Sequence, residues 1–146
     1  MGRVATKIVL WILILLRLAV GGVFIYAGAT KIGSPAAFYT DIQAYRILPH
    51  LAAWGMAVYL PWLEIFCGLG MVFKLCYRGA LLSLLILMIV FTIALASGMA
   101  RGLDISCGCF GSITDVHYPS KLAMNVCLTI LIGLLLRSEE RLRARD

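Results

Sequence analysis

The stretch Gly79–Met99, GALLSLLILMIVFTIALASGM, carries no charged side chain from end to end. An α-helix needs roughly 20 apolar residues to cross the hydrocarbon core of a bilayer. Continuous apolarity, with no strict alternation, selects a helix over a barrel strand. Outward from this stretch, three more runs approach the same length: about Ile8–Ala29, Leu51–Phe73 and, shortest of all, Pro119–Leu136. With 62% hydrophobic and only 14% charged residues among 146, the composition is that of an integral membrane protein. The expectation is an all-α fold, an up-down bundle of four transmembrane helices at about 8–29, 51–73, 79–99 and 119–136, forming one membrane domain over 1–146.

A net charge of +6 raises nucleic acid as a partner, but the basic residues cluster at helix ends and are better read as topology signals, so the expected contact is the lipid bilayer and no nucleic acid. With four spans, Arg3, Lys7, Lys74, Arg78, Arg137, Arg141, Arg143 and Arg145 share one side, and Lys31, Arg46, Arg101 and Lys121 the other. The positive-inside rule then puts both termini in the cytoplasm and the connections 30–50 and 100–118 outside, in the periplasm if the membrane is a Gram-negative inner membrane. A cleaved signal peptide is the rival reading of the first run, since Arg3 and Lys7 precede it and Ala27-Gly28-Ala29 ends it. Arg17 and the length of the run stand against it.

Both longer connections fall on the expected outer side. In the first, Phe38, Ile42 and Tyr45 recur at helical spacing and predict a short helix at the interface, either an aromatic anchor or a lid over the bundle. The second holds Cys107-Gly108-Cys109-Phe110-Gly111, flanked by Asp104 and His117. Two cysteines one residue apart close a ring whose spacing opposes preferred disulfide geometry, which makes the bond easier to reduce. Gly108 and Gly111 permit a tight turn presenting both sulfurs. Lys31, Arg101, His117 and Lys121 are cations on the same side that would favour the thiolate, and Asp104 opposes it. Thiol–disulfide exchange at Cys107 and Cys109 is the leading chemistry; a static disulfide, and Cu(I) held by the two thiolates with His117, are the alternatives. Cys67 and Cys127 read as small hydrophobes inside apolar helices, and Cys76 as a thiol on the cytoplasmic side.

Arg17 and Glu64 are ionisable residues inside apolar runs, where an unpaired charge costs on the order of 3 kcal/mol. Each lies nine residues from the cytoplasmic end of its run, about 14 Å deep, so an antiparallel helix pair is expected to join them in an ion pair, with Asn125 near the same depth. Such a centre serves either as a register device or as a polar site for a quinone head group or a proton relay. Pro61, one turn before Glu64, removes a helical hydrogen bond and frees a carbonyl there. Gly21, Gly22 and Gly28 in the first run and Gly68 and Gly70 in the second mark faces for close helix approach.

Arg17-Leu-Ala-Val-Gly21, Phe24, Ala27-Gly28 and Lys31, followed by Pro61-Trp-Leu-Glu64 with Gly68 and Gly70, resemble the DoxX-type four-helix membrane proteins. The Cys107–Gly111 loop between the third and fourth runs resembles that of their MauE branch, the methylamine-utilisation redox-associated membrane proteins. The resemblance covers nearly the whole chain. It implies an inner-membrane protein associated with oxidative maturation of periplasmic proteins, working with a thioredoxin-like partner and a client. In methylamine utilisation that client is the disulfide-rich small subunit of methylamine dehydrogenase. A non-enzymatic assembly factor that docks a client at the Cys107–Cys109 loop is the second implied role, and metal delivery a third.

Overall fold

The computed structural model describes residues 2–102 and 118–143. They form five helices: α1 (Gly2–Gly33), α2 (Pro35–Ala44), α3 (His50–Phe73), α4 (Tyr77–Ala100) and α5 (Tyr118–Arg143). Four are long and apolar enough to span a bilayer, over Lys7–Gly33, His50–Phe73, Tyr77–Ala100 and Leu122–Arg141, so the chain is a multi-pass membrane protein in contact with lipid. The many exposed apolar side chains, Ile86 and Phe66 among them, are the surface that the lipid covers.

Each long helix packs against its neighbour in sequence, α1 on α3, α3 on α4 and α4 on α5, and α5 returns to touch α1. The core is a column of Val20 and Phe24 from α1, Cys67 and Met71 from α3, Leu81, Leu84 and Met88 from α4, and Ile132 and Leu135 from α5. Cys67 is thus a core residue, whereas Cys127 is exposed on α5 and Cys76 is exposed in the α3–α4 turn; all three are free thiols.

The spans expected from apolarity were drawn too short at α1 and α5. Helix α1 continues to Gly33, because its polar residues there are satisfied without ending it: the Thr30 hydroxyl donates to the Ala27 carbonyl at 2.9 Å and Lys31 has a partner inside the bundle. Helix α5 continues to Arg143 through the charged Arg137–Glu140 segment, where Arg78 of α4 reaches Glu140 at 3.6 Å. Between α1 and α3 lies the expected short helix, α2, started by Pro35 in its first turn, where the missing N–H is no loss.

The register between α1 and α3 is set by glycine. A Cβ on Gly21 would lie 3.1 Å from the Gly68 carbonyl oxygen, one on Gly68 would lie 2.8 Å from that of Gly21, and one on Gly28 would lie 2.6 Å from that of Pro61. Backbone therefore meets backbone at two levels seven residues apart on each helix, which the missing side chains of Gly21, Gly28 and Gly68 permit. Of the other glycines expected to mark close faces, Gly70 opposes the turn carbonyl of Leu75 and Ala80, and Gly22 faces open space. The α3–α4 turn is tight, with Lys74 at φ 60° and Cys76 at φ 47°, both left-handed.

Candidate functional site

Lys31 and Glu64 form the buried polar centre of the bundle. Lys31 Nζ donates to both carboxylate oxygens of Glu64, at 2.5 and 2.7 Å, and the two residues are 4% and 3% exposed. By backbone level they stand well apart. Gly28 faces Pro61, so Lys31 lies level with about Val58, six residues from Glu64. Helical side chains lean toward the N-terminus of their own helix, and α1 and α3 are antiparallel. The lysine therefore reaches back toward the start of α1 while the glutamate reaches back toward the start of α3, and they meet between the two levels.

Aromatic rings close the site. Phe38 of α2 is 3% exposed and its ring centroid is 5.0 Å from Lys31 Nζ; Phe91 of α4 is 6.0 Å away. Both distances fall within cation–π range. Helix α2 thus acts as a roof: Phe38 faces the ammonium from above, while on its far side Tyr39 stacks on Trp54 at 5.1 Å and its hydroxyl shares a 2.7 Å hydrogen bond with His50 Nδ1. The C-terminal end of α2 is tied down by Arg101, whose Nη1 donates to the Tyr45 carbonyl at 3.0 Å, and by the packing of Tyr45 on Leu95. Pro61, also buried, sits one turn from Glu64 and leaves the Ala57 carbonyl without its usual helical donor. What the arrangement offers chemically is a dry, net-neutral pair with one N–H of the ammonium beyond the two given to Glu64, at the end of the bundle where α1 hands over to α2.

The expected Arg17–Glu64 ion pair does not form. Arg17 Nη2 lies 3.5 Å from the Val72 carbonyl, which puts it level with Val72, eight residues and about 12 Å along α3 from Glu64. The physical reason is the glycine-set stagger: the apolar runs of α1 and α3 do not begin level, because the close approach of Gly21 to Gly68 overrides alignment of their ends. Nor does Asn125 join this centre. It lies in the N-terminal half of α5, where its Nδ2 donates to Thr92 Oγ1 at 2.9 Å, and Thr92 in turn donates to the Met88 carbonyl.

Lys31, read from sequence as a cation on the side of the cysteine loop and as part of the first-run motif, is thus Glu64's partner. The signal available was its place one turn beyond Gly28 on the α3-facing side of α1. Cys107, Gly108, Cys109, Phe110 and Gly111, with Asp104 and His117, lie outside the described residues. The connection that contains them leaves from Gly102 and returns at Tyr118, joining α4 and α5 at the end of the bundle that carries α2.

A family profile described as methylamine utilisation protein MauE matches residues 9–138. Methylamine utilization protein MauE of Paracoccus denitrificans is 34% identical over 103 residues, 70% of this chain and 54% of that protein. The protein of the same name from Methylorubrum extorquens is 33% identical over 85 residues, 58% of this chain and 46% of its own length. This chain spans about half the length of the curated relatives it matches. No solved structure matches it.

Proposed function

The chain belongs to the MauE family, and on that footing we propose that it takes part in thiol–disulfide exchange during oxidative maturation of extracytoplasmic proteins. The observation that carries this reading is the Cys107-Gly-Cys109 pair inside the segment that the family profile matches. On this reading the loop faces the periplasm, both termini are cytoplasmic, and the membrane is the inner membrane. The whole of 1–146 acts as one membrane domain.

In one direction of exchange, a thiolate of a thioredoxin-like partner attacks one sulfur of the Cys107–Cys109 disulfide and releases the other cysteine as thiolate. The partner's second thiolate then attacks the mixed disulfide. The partner leaves with its own disulfide, and Cys107 and Cys109 are left reduced by two electrons. The reverse sequence oxidises the pair and reduces the partner. For a pair reduced in this way, a membrane quinone is the acceptor class that balances the electrons, leaving as quinol. Lys31 and Glu64 are the described residues suited to such a head group, as a hydrogen-bond donor and a proton carrier. The relatives' names point to a client in methylamine utilisation.

Trapping tests the exchange. Cys107→Ser and Cys109→Ser, each expressed in cells, are expected to leave one unresolved cysteine that accumulates a covalent adduct with the partner, visible on a non-reducing gel and lost on reduction. If neither variant forms an adduct, and alkylation of the wild-type pair does not change across thiol redox buffers, exchange is wrong. The alternative is then a non-enzymatic assembly factor that docks its client at this loop.

A further inference from the structure

Arg17 is left over by the site described above. Its Nε is buried and has no hydrogen-bond partner among the described residues, and its Nη2 reaches the Val72 carbonyl only at 3.5 Å, the outer limit of a hydrogen bond. The guanidinium stands 6.0 Å over the Tyr77 ring. A cation with donors unspent is costly in an apolar helix, and its surroundings indicate what completes it.

By its own helix Arg17 is mid-span, but by its neighbours it is at a boundary. Val72 is the last residue but one of α3, and Tyr77 is the first of α4. At that end basic side chains outnumber acidic ones: Lys74, Arg78, Arg137 and Arg141 are exposed, against Glu140, which pairs with Arg78, and Glu139, which lies near Tyr77 as Arg17 does. Ile14 and Leu18, beside Arg17 on α1, are exposed and apolar. The missing ligand must therefore offer several acceptor oxygens, carry negative charge and bring an apolar body to lie against α1. A free anion meets only the first two requirements. The phosphate of an anionic phospholipid meets all three. The planar fork of arginine also matches phosphate geometry.

We propose that Arg17, beside Tyr77 at the α3–α4 end of the bundle, is a binding site for the phosphate of an anionic phospholipid. The site is separate from Lys31 and Glu64 and does not depend on the redox reading. Its test is a titration of phosphatidylglycerol into the full-length protein in neutral detergent, read by native mass spectrometry and by the rise in unfolding temperature. Phosphatidylcholine and inorganic phosphate are the two comparison ligands.

Saturable binding of phosphatidylglycerol is expected, weakened about tenfold in Arg17→Gln by loss of a charge-assisted contact. It should be unchanged in Arg101→Gln, at the opposite end. Arg17→Lys keeps the charge that the fold tolerates and loses the fork, so it serves if Arg17→Gln fails to fold; its affinity is expected to fall several-fold. Wild-type affinity in a folded Arg17 variant overturns the proposal. So does equal binding of phosphatidylcholine, which removes the anionic requirement, or equal stabilisation by inorganic phosphate, which removes the lipid.

Discussion

Lys31→Met is expected to destabilise the folded protein by about 3–5 kcal/mol, because it strands the Glu64 carboxylate in the dry centre of the bundle with its only described ion-pair partner gone. Removing both charges together should behave differently. In Lys31→Met/Glu64→Leu the apolar pair fills a similar volume beneath Phe38, and stability is expected to return to within about 1–2 kcal/mol of the wild type, since buried ion pairs contribute little net stability against well-packed apolar replacements. Unfolding in a graded series of denaturing detergent measures the cycle. The same double variant separates structure from function. A bundle that folds but no longer supports maturation in cells makes the pair part of the chemistry. A bundle that folds and works makes it a device for fixing helix register.

Gly28→Val should be the most damaging single change in helix packing. Its Cβ alone would stand 2.6 Å from the Pro61 carbonyl oxygen and 2.7 Å from Ile65 Cγ1, and the first of these is backbone that cannot swing aside. Even Gly28→Ala is expected to cost about 1–3 kcal/mol, the range for overpacking a tight interface, and the branched valine more. Gly22→Ala is the matched control. It lies on the same helix and faces open space, so it should be neutral or stabilising by up to about 1 kcal/mol through reduced chain freedom. Equal effects of Gly28→Ala and Gly22→Ala on unfolding would refute the close contact of α1 with α3. Displacing that contact also moves Lys31 relative to Glu64, so Gly28→Ala should affect the polar centre without touching it.

The fold was legible because its signal is large. Four apolar runs leave little choice of architecture, and Phe38, Ile42 and Tyr45 were enough to find α2. The site was half legible. Glu64 stood out as a carboxylate among apolar neighbours, but its partner was sought at equal depth, and depth was counted from the ends of hydropathy runs. Run ends record where polar residues begin, and they do not record how two helices slide past each other. Lys31 looked like a loop residue because its charge seemed to end the run, when its long stem in fact carries that charge back into the bundle. The better register signal was already in the sequence. Gly21 and Gly28 are seven apart on α1, as are Pro61 and Gly68 on α3, and matching the two pairs gives the observed stagger. Asn125 was set beside Glu64 by the same count of depth from run ends, whereas its partner is Thr92, a hydroxyl on α4 that no count of charged residues would flag.

That stagger has a consequence for how the molecule sits. Below the level where α3 ends, α1 continues for about fourteen residues, and Lys7 to Ile12 are exposed on every side although all but Lys7 are apolar. At the other end α3 runs past the last turn of α1 beside the polar α2. The apolar girdle of the protein is therefore slanted, low along α1 and high along α3. A bilayer of uniform thickness accommodates a slanted girdle most cheaply if the whole bundle leans. The lean brings the N-terminal turns of α1 up into the hydrocarbon and lowers the α3 flank, against which α2 packs, so the roof over Lys31 would tilt toward the lipid on that flank only. A partner approaching from that face would then find a preferred side of arrival, given by nothing more than two glycines and the thickness of the lipid.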